Sequence, residues 1–551
     1  MGVCGSQRLA GLLDADPAHI AAGWLVMAAG RGRASVKGGL RPSMAWLHTW
    51  SGLLPGWLLY FVFLTGTLGY FSVEIDRWMQ PELPLRQRSD PQWELIERGM
   101  ARLQQRAPGA ERWSVELPQR KSPLPPRIVW RMPPTADGAR GEAGTEPLLP
   151  GDAAPRPRPT GGGQFLYQLH YRLHYIDTQQ AYWIIGAAAM FMLVSILSGV
   201  ILHKKILTDF FTFRPAAGKR TWRDLHSVLG SIALPFHIMI TWSGLVLLAY
   251  TYMPLVLDEI YRFDEDAQDV FFTDNAQRVA DTGRSGVTAP MLLPAQLLAL
   301  QHPALNNARL SSYGVRNPGD ANARVVILRE RRNAQNGTDQ QVYSAVSGQL
   351  LDAGLQRGPL RQTRDAMLGL HKGSFAAPLL RALYGLSGAL GTLMVGSGLV
   401  FWTAKRRERR GGVAGEGGGG LAWVERANPG MLIGPLLGVC AYLLANRLLP
   451  VDFEHRGSWE GHALFIGWAL ALVLALPLRP QRAWWLLTAS LALACAALPV
   501  VNVFTTDRHL GVSLPWALRE GDWVLAGIDL CLLILALIFA FVARRLARQQ
   551  C

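Results

Sequence analysis

The 551-residue chain is poor in charge, poor in cysteine and without nucleotide-binding signatures. Only 17% of its residues are charged, where soluble domains run near roughly a quarter. The five cysteines (Cys4, Cys440, Cys495, Cys531 and Cys551) show no CxxC spacing, and none lies in the large polar segments. That pattern excludes a disulfide framework and a zinc site. No G-x-G-x-x-G follows a strand, and there is no Walker sequence and no nucleophile constellation, so the chain carries no nicotinamide, flavin or nucleotide domain of its own. What it has instead is apolar bulk: 50% apolar residues, 19 Trp and a mean hydropathy of +0.14. A disordered chain or an ordinary soluble enzyme is excluded by those values. The formal charge of +15 falls beside apolar blocks, which is the pattern of a lipid bilayer and not of nucleic acid.

Eight stretches are long enough to cross a bilayer: 47–71, 180–202, 228–250, 378–403, 430–449, 461–478, 483–504 and 523–543. Each approaches the ~20 residues that span ~30 Å of hydrocarbon. Lys and Arg set the orientation. Lys204, Lys205, Arg214, Lys219, Arg220 and Arg223 crowd the connection after the second span, and five cations from Lys405 to Arg410 follow the fourth. Arg479 and Arg482 fill the turn after the sixth span, and Arg544, Arg545 and Arg548 follow the eighth. The connection 450–460 is acidic by contrast, with Asp452, Glu454 and Glu460 against Arg456. Both termini are therefore expected on the cytoplasmic side, with the large loops outside.

The expected organisation is a cytoplasmic segment 1–42, a first span within 43–72, an outer segment 73–168, and spans two and three with a basic loop in 169–251. A second outer segment 252–368, the fourth span in 369–410, a Gly-rich linker 411–429 and a four-helix region 430–551 follow. No signal peptide is read in 1–42, because Ala21–Ala29 is short and lacks a cleavage site. The first outer segment has strand-like runs at Trp113–Leu117 and Ile128–Met132, then a Pro/Gly-rich stretch Thr135–Gly163 that reads as a loose linker. In the second, a helical run Pro294–Gln301 precedes alternating stretches Arg309–Val315, Arg324–Leu328 and Gln341–Val346, which fits a helix packed on an antiparallel sheet. Gly411–Gly420 follows a polybasic run and reads as a linker, not a phosphate loop.

Spans one to four form a pseudo-repeat. His48 and His226 are each followed by Gly four residues later (Gly52, Gly230), then by a hydroxyl residue and Gly at Thr65-Gly66 and Ser243-Gly244. Spans two and four share Gly186 with Gly385 and Ser198-Gly199 with Ser397-Gly398 at one offset. His170, His174 and His371 lie at their outer entrances. A pseudo-two-fold axis along the membrane normal would bring His48 to His226 at the cytoplasmic level, and His371 to His170 or His174 at the outer level. Facing imidazoles are what a low-spin b-type haem requires, and Gly52 and Gly230 would leave room for the flat macrocycle. His237 lies eleven residues past His226, ~16 Å deeper on a straight helix. For it, a bond to a carbonyl freed by Pro235 and an electron-path or haem-ligand role both stay open. His203 is open between interfacial anchor and ligand. His455, His462 and His509 read as surface residues; Tyr384 and Trp402 could flank a macrocycle.

The stretches WLHTWSGLLPGWLLYFVFLTGTLGYF, EIDRWMQPE, YQLHYRLHYID, SGVILHKKILTDFFTFRP, WRDLHSVLGSIALPFHIMITWSGL and LHKGSFAAPLLRALYGLSG, over about 43–405, resemble the PepSY-associated transmembrane family of iron-regulated membrane proteins. Residues 430–545 resemble the extra four-helix tail of its longer members. The resemblance implies an all-α membrane bundle of about eight helices with small α+β PepSY-like insertions. It also implies haem b, two per chain, with iron held at His48, His226, His371 and His170 or His174.

The expected function is electron transfer to a periplasmic ferric siderophore or chelate, making the chain a candidate ferric-chelate reductase fed by quinol or a cytoplasmic reductase. Two other classes stand beside it. One is a PepSY-type membrane-anchored regulator without cofactor. The other is an iron or siderophore transporter, against which the spans show few broken helices and few buried carboxylates besides Asp529.

Overall fold

The computed structural model describes residues 39–85, 90–118, 125–135, 141–148, 157–203, 219–252, 283–301, 305, 309–330, 338–352, 359–373, 375–409 and 420–549. His19, His302, the cations from Lys204 to Arg214, Arg410, and Cys4 and Cys551 lie outside them, as does all of the Gly-rich run except Gly420.

Along the chain, α1 (Leu40–Leu53) and α2 (Gly56–Gly69) make the first crossing, followed by the short α3 (Ser72–Met79). An α+β segment comes next, with α4 (Gln92–Arg106), β1 (Arg112–Glu116), β2 (Arg127–Arg131) and β3 (Ala143–Pro147). Then α5 (Gly162–Leu169) leads to α6 (Thr178–Leu202), and α7 (Lys219–Ile232) with α8 (Leu234–Leu247) mirrors α1 and α2. The second α+β segment holds α9 (Pro294–Leu300), β4 (Leu310–Arg316), β5 (Arg324–Glu330), β6 (Thr338–Ser344) and β7 (Leu350–Asp352). It is followed by α10 (Pro359–Lys372), α11 (Pro378–Arg409), α12 (Gly420–Leu448), α13 (Arg456–Ala475), α14 (Pro480–Thr505), α15 (Leu510–Glu520) and α16 (Val524–Arg548).

Six of these helices are long and apolar enough to cross a membrane, and eight crossings result if each bent pair, α1–α2 and α7–α8, is one span. This is a multi-pass helical membrane bundle carrying a small α+β domain. The bends are 63° and 69°, which corrects the expectation of few broken helices. Both have proline at the break: Pro55 is the N-cap of α2, and Pro235 stands in the first turn of α8. Proline lacks the N–H that would continue the preceding helix but suits the start of a new one. Because α7 and α8 are not collinear, the straight-helix depth given to His237 does not hold.

The two polar segments do not fold separately. Their strands form one antiparallel sheet in the order β3-β2-β1-β4-β5-β6-β7, joined where β1 pairs with β4 and Ser114 faces Gly314. The joint removes two open edges, and one apolar core draws Leu103, Trp113 and Ile128 from the first segment with Tyr313, Val325 and Ile327 from the second. Gly99 lets α4 approach this sheet, since a Cβ there would lie 2.6 Å from Val115.

Two other boundaries differ from expectation. Within Thr135–Gly163, β3 pairs with β2. Its composition, Ala-Gly-Thr-Glu-Pro, hides it, but Gly144 is required because the Trp130 ring covers its Cα, 2.1 Å from where a Cβ would stand. The linker read at 411–429 is helical from Gly420. Asn428 accepts a hydrogen bond from Trp57 Nε1 at 2.9 Å, and Glu425 pairs with Arg407 at 3.4 Å, so this polar stretch is held against the bundle.

Candidate histidine pairs in the bundle

The repeat places four histidines in two facing pairs. The ring centres of His48 (α1) and His226 (α7) are 6.1 Å apart. Those of His170, just after α5, and His371, in α10, are 5.8 Å apart. A metal-bound imidazole nitrogen lies ~2 Å from the metal and about 1 Å from its ring centre, so two imidazoles on opposite faces of one metal hold their centres roughly 6 Å apart.

Each ring is fixed through Nδ1. His48 Nδ1 donates to Ser195 O and His226 Nδ1 to Met394 O, both at 2.8 Å. His170 Nδ1 donates to Val62 O at 2.8 Å, and His371 bonds the Ile240 backbone and Ser243 Oγ, the latter at 2.9 Å. Ser195 and Met394 occupy equivalent places in the repeat, as do Val62 and Ile240. A carbonyl can only accept, so the proton stays on Nδ1 and the Nε2 lone pair is free. Imidazole metal ligands are oriented and tuned in just this way.

The glycines of the hydroxyl-Gly doublets have a task that the sequence reading did not assign to them. Gly52 and Gly230 line the cavity at the first pair, but Gly230 also packs on Met394 Sδ, 3.2 Å from where a Cβ would be. The glycines of the hydroxyl-Gly doublets are the seats for the opposing histidines. A Cβ would meet His48 at 3.0 Å from Gly199, His226 at 3.0 Å from Gly398, His170 at 2.6 Å from Gly66 and His371 at 3.1 Å from Gly244. Sequence reading missed this role, although the doublets themselves were visible as repeat markers.

His48, His226, His203 and His237 all line one cavity of about 810 Å³. Its lining includes Lys405, Arg406 and Arg409, Arg223 paired with Asp224 at 2.8 Å, and Trp402, whose face is covered by the Arg406 guanidinium at 4.4 Å. This is the basic end of the bundle.

The remaining histidines are not members of the two facing pairs. His174 is exposed, stacks on Phe465 at 5.5 Å and lies 6.0 Å from His462, so of His170 and His174 it is His170 that faces His371. His203 caps the end of α6. His237 is 1% exposed, meets Phe63 edge-on at 5.9 Å and bonds the Ser387 backbone. It does not serve a carbonyl freed by Pro235, because that proline opens a helix instead of interrupting one. Tyr384 packs among Tyr70 and Phe236 and lines no part of the cavity. Among the described residues, no group of three or more His, Cys, Asp or Glu is arranged to hold a bare metal ion.

Taken together, these features define a multi-pass helical membrane protein with paired histidines at two levels of a duplicated bundle. The sequence profile of the PepSY-associated TM region matches residues 45–405, and the chain belongs to that family. No curated protein matches the chain.

Proposed function

We propose that the protein is a di-haem b-type electron-transfer protein of the bacterial inner membrane that reduces ferric siderophores or chelates on the periplasmic side. The observation that carries this reading is the pair of imidazole–imidazole separations, 6.1 and 5.8 Å, each with Nδ1 anchored. The donor set fits haem. His48 with His226 would hold one macrocycle in the cavity, and Lys405, Arg406 and Arg409 in its lining suit the carboxylates such a ring carries; His170 with His371 would hold the second. Haem supplies the one-electron chemistry; the protein sets distance, potential and access. The residues need move no proton, since the free Nε2 atoms serve only as donors to metal. Reduction of the substrate iron from ferric to ferrous weakens its binding by hard oxygen donors, which releases it from the chelate. The basic ends of the helices support a cytoplasmic position for the first pair.

A transporter for iron or its chelate is the second reading, favoured by the two bends at equivalent places in the repeat, since broken helices in paired halves are also how transporters build sites. The absorption spectrum of purified protein separates the two. The redox reading expects two haems per chain, a sharp b-type α-band on dithionite reduction, and reoxidation by a ferric hydroxamate. Protein expressed with haem supplied but showing no such band would falsify it.

A further inference from the structure

The last four spans lie beyond the family match, which ends at residue 405. They hold a buried polar network that reaches out of their own region to the six-residue run 158–163, which leads into the first turn of α5. Glu460 is 0% exposed. Its Oε2 accepts from Thr160 Oγ1 at 2.5 Å and from Gly161 N at 3.1 Å, and its Oε1 accepts from Asn446 Nδ2 at 2.8 Å and from Arg456. Arg456 in turn donates to Pro159 O at 2.8 Å. Tyr442, also fully buried, donates to Gly162 O at 2.7 Å and stacks on Phe165 in α5.

Glycines make this grip possible. The α13 backbone comes within reach at Gly457, where a Cβ would lie 3.3 Å from Gly161 N, and at Gly461, where it would strike Phe165 at 2.9 Å. On the opposite side, Asp76 of α3 accepts from Gly163 N at 2.8 Å. Gly162 takes φ +59°, a conformation open to glycine at little cost. The run 158–163 is thus clamped between α3 and the last four helices, and seven residues later the chain delivers His170.

A buried charge this well partnered is costly to assemble and costly to disturb, so the network fixes geometry more than it adds stability. We propose that the Tyr442–Asn446 end of α12 and the Arg456–Gly461 end of α13 are a brace that positions His170, acting through Glu460 on Thr160 and Gly161 and so setting the His170–His371 pair, while leaving the His48–His226 pair alone. Glu460 is a positioning residue here. The functional weight of the pair rests on the redox reading above; the brace itself does not.

Cysteine cross-linking tests this without haem. In full-length protein with Cys4, Cys440, Cys495, Cys531 and Cys551 replaced by Ala, His170→Cys is combined with His371→Cys, and separately His48→Cys with His226→Cys. A short thiol-bridging reagent should close both pairs. Adding Glu460→Ala or Thr160→Val should slow the His170–His371 cross-link by about ten-fold, the shift expected from one lost charge-assisted hydrogen bond, and leave the other pair unchanged. Thr160→Ser should restore the original rate. An unchanged His170–His371 cross-link overturns the proposal, and so does an equal loss at both pairs, which would make the network a general element of the fold. Absence of haem from the parent protein would sink the redox reading and leave this result standing.

Discussion

His226 Nδ1 donates to the carbonyl of Met394 at 2.8 Å, and the same bond, at the same length, joins His48 to Ser195 across the other half of the repeat. Neither acceptor is a side chain, so substitution at Ser195 or Met394 would not remove it. The histidines are the direct handle. On the proposed di-haem reading, His48→Ala or His226→Ala should each lower bound haem by about half, because each pair would supply both donors to one iron. His170→Ala and His371→Ala should do the same at the other level, and His174→Ala should leave content and spectrum as they were. A pyridine haemochrome assay gives the count, and full haem in both His48→Ala and His226→Ala would remove that pair from the argument.

The glycine seats give a graded test. At Gly66 a Cβ would fall 2.6 Å from His170 Nδ1, a contact that real Cβ atoms do not make, whereas at Gly398 it would fall 3.0 Å from His226. Gly66→Ala should therefore displace its histidine outright, while Gly398→Ala should shift its own by tenths of an ångström. Perturbing a ligand's orientation costs about 10–100-fold in affinity, so haem titration should rank Gly66→Ala well below Gly398→Ala and parent. Gly527→Ala, at a helix position with nothing within 4 Å, is the control and should stabilise by ~0.5–1 kcal/mol.

His237 invites a neutral replacement. Its ring bonds the Ser387 backbone, while its Nε2 is buried without a hydrogen-bond partner among the described residues. A buried acceptor left unpaired costs about 1–3 kcal/mol. Replacement by an apolar ring of similar shape should then be neutral or stabilising. His237→Phe is expected to keep both haems and to match or exceed the parent's melting temperature in detergent. A drop of about half in haem would instead identify it as an axial ligand.

Much of this arrangement was legible in the sequence because duplication writes itself twice. His48 and His226 share their spacing to glycine, and the doublets Ser198-Gly199 and Ser397-Gly398 share theirs, so a pseudo-axis was enough to pair the levels. Three things were hidden. The bends at Pro55 and Pro235 fall inside unbroken apolar runs, where hydropathy is blind to direction. The β1–β4 joint links residues two hundred positions apart, and no periodicity reports such a partner. The polar network around Glu460 was invisible because its members come from three separate stretches, and only burial distinguishes Glu460 and Arg456 from ordinary helix-end charges.

The α+β domain carries its own pH response. Asp320, in the turn between β4 and β5, is hydrogen-bonded by Ser285 N at 3.0 Å, Ser285 Oγ at 2.8 Å, Gly286 N at 3.0 Å and Asn322 N at 2.7 Å. Those donors, the Ser285 backbone first, pull its carboxyl down from the usual 3.8 to about 2. A carboxylate whose folded value is depressed contributes stability above its unfolded value, and that contribution is lost as pH falls through the folded one. The bonds tie residues 283–289 to the sheet beside the Thr288–Asp320 bridge. Hydrogen exchange on the full chain should show amides of Ser285, Gly286 and Asn322 protected at neutral pH and opening as pH falls from 4 toward 2. Asp320→Asn should open the same amides at pH 7 and flatten their dependence in that window. If the parent's amides exchange at one rate across it, the carboxylate is not what holds this segment down.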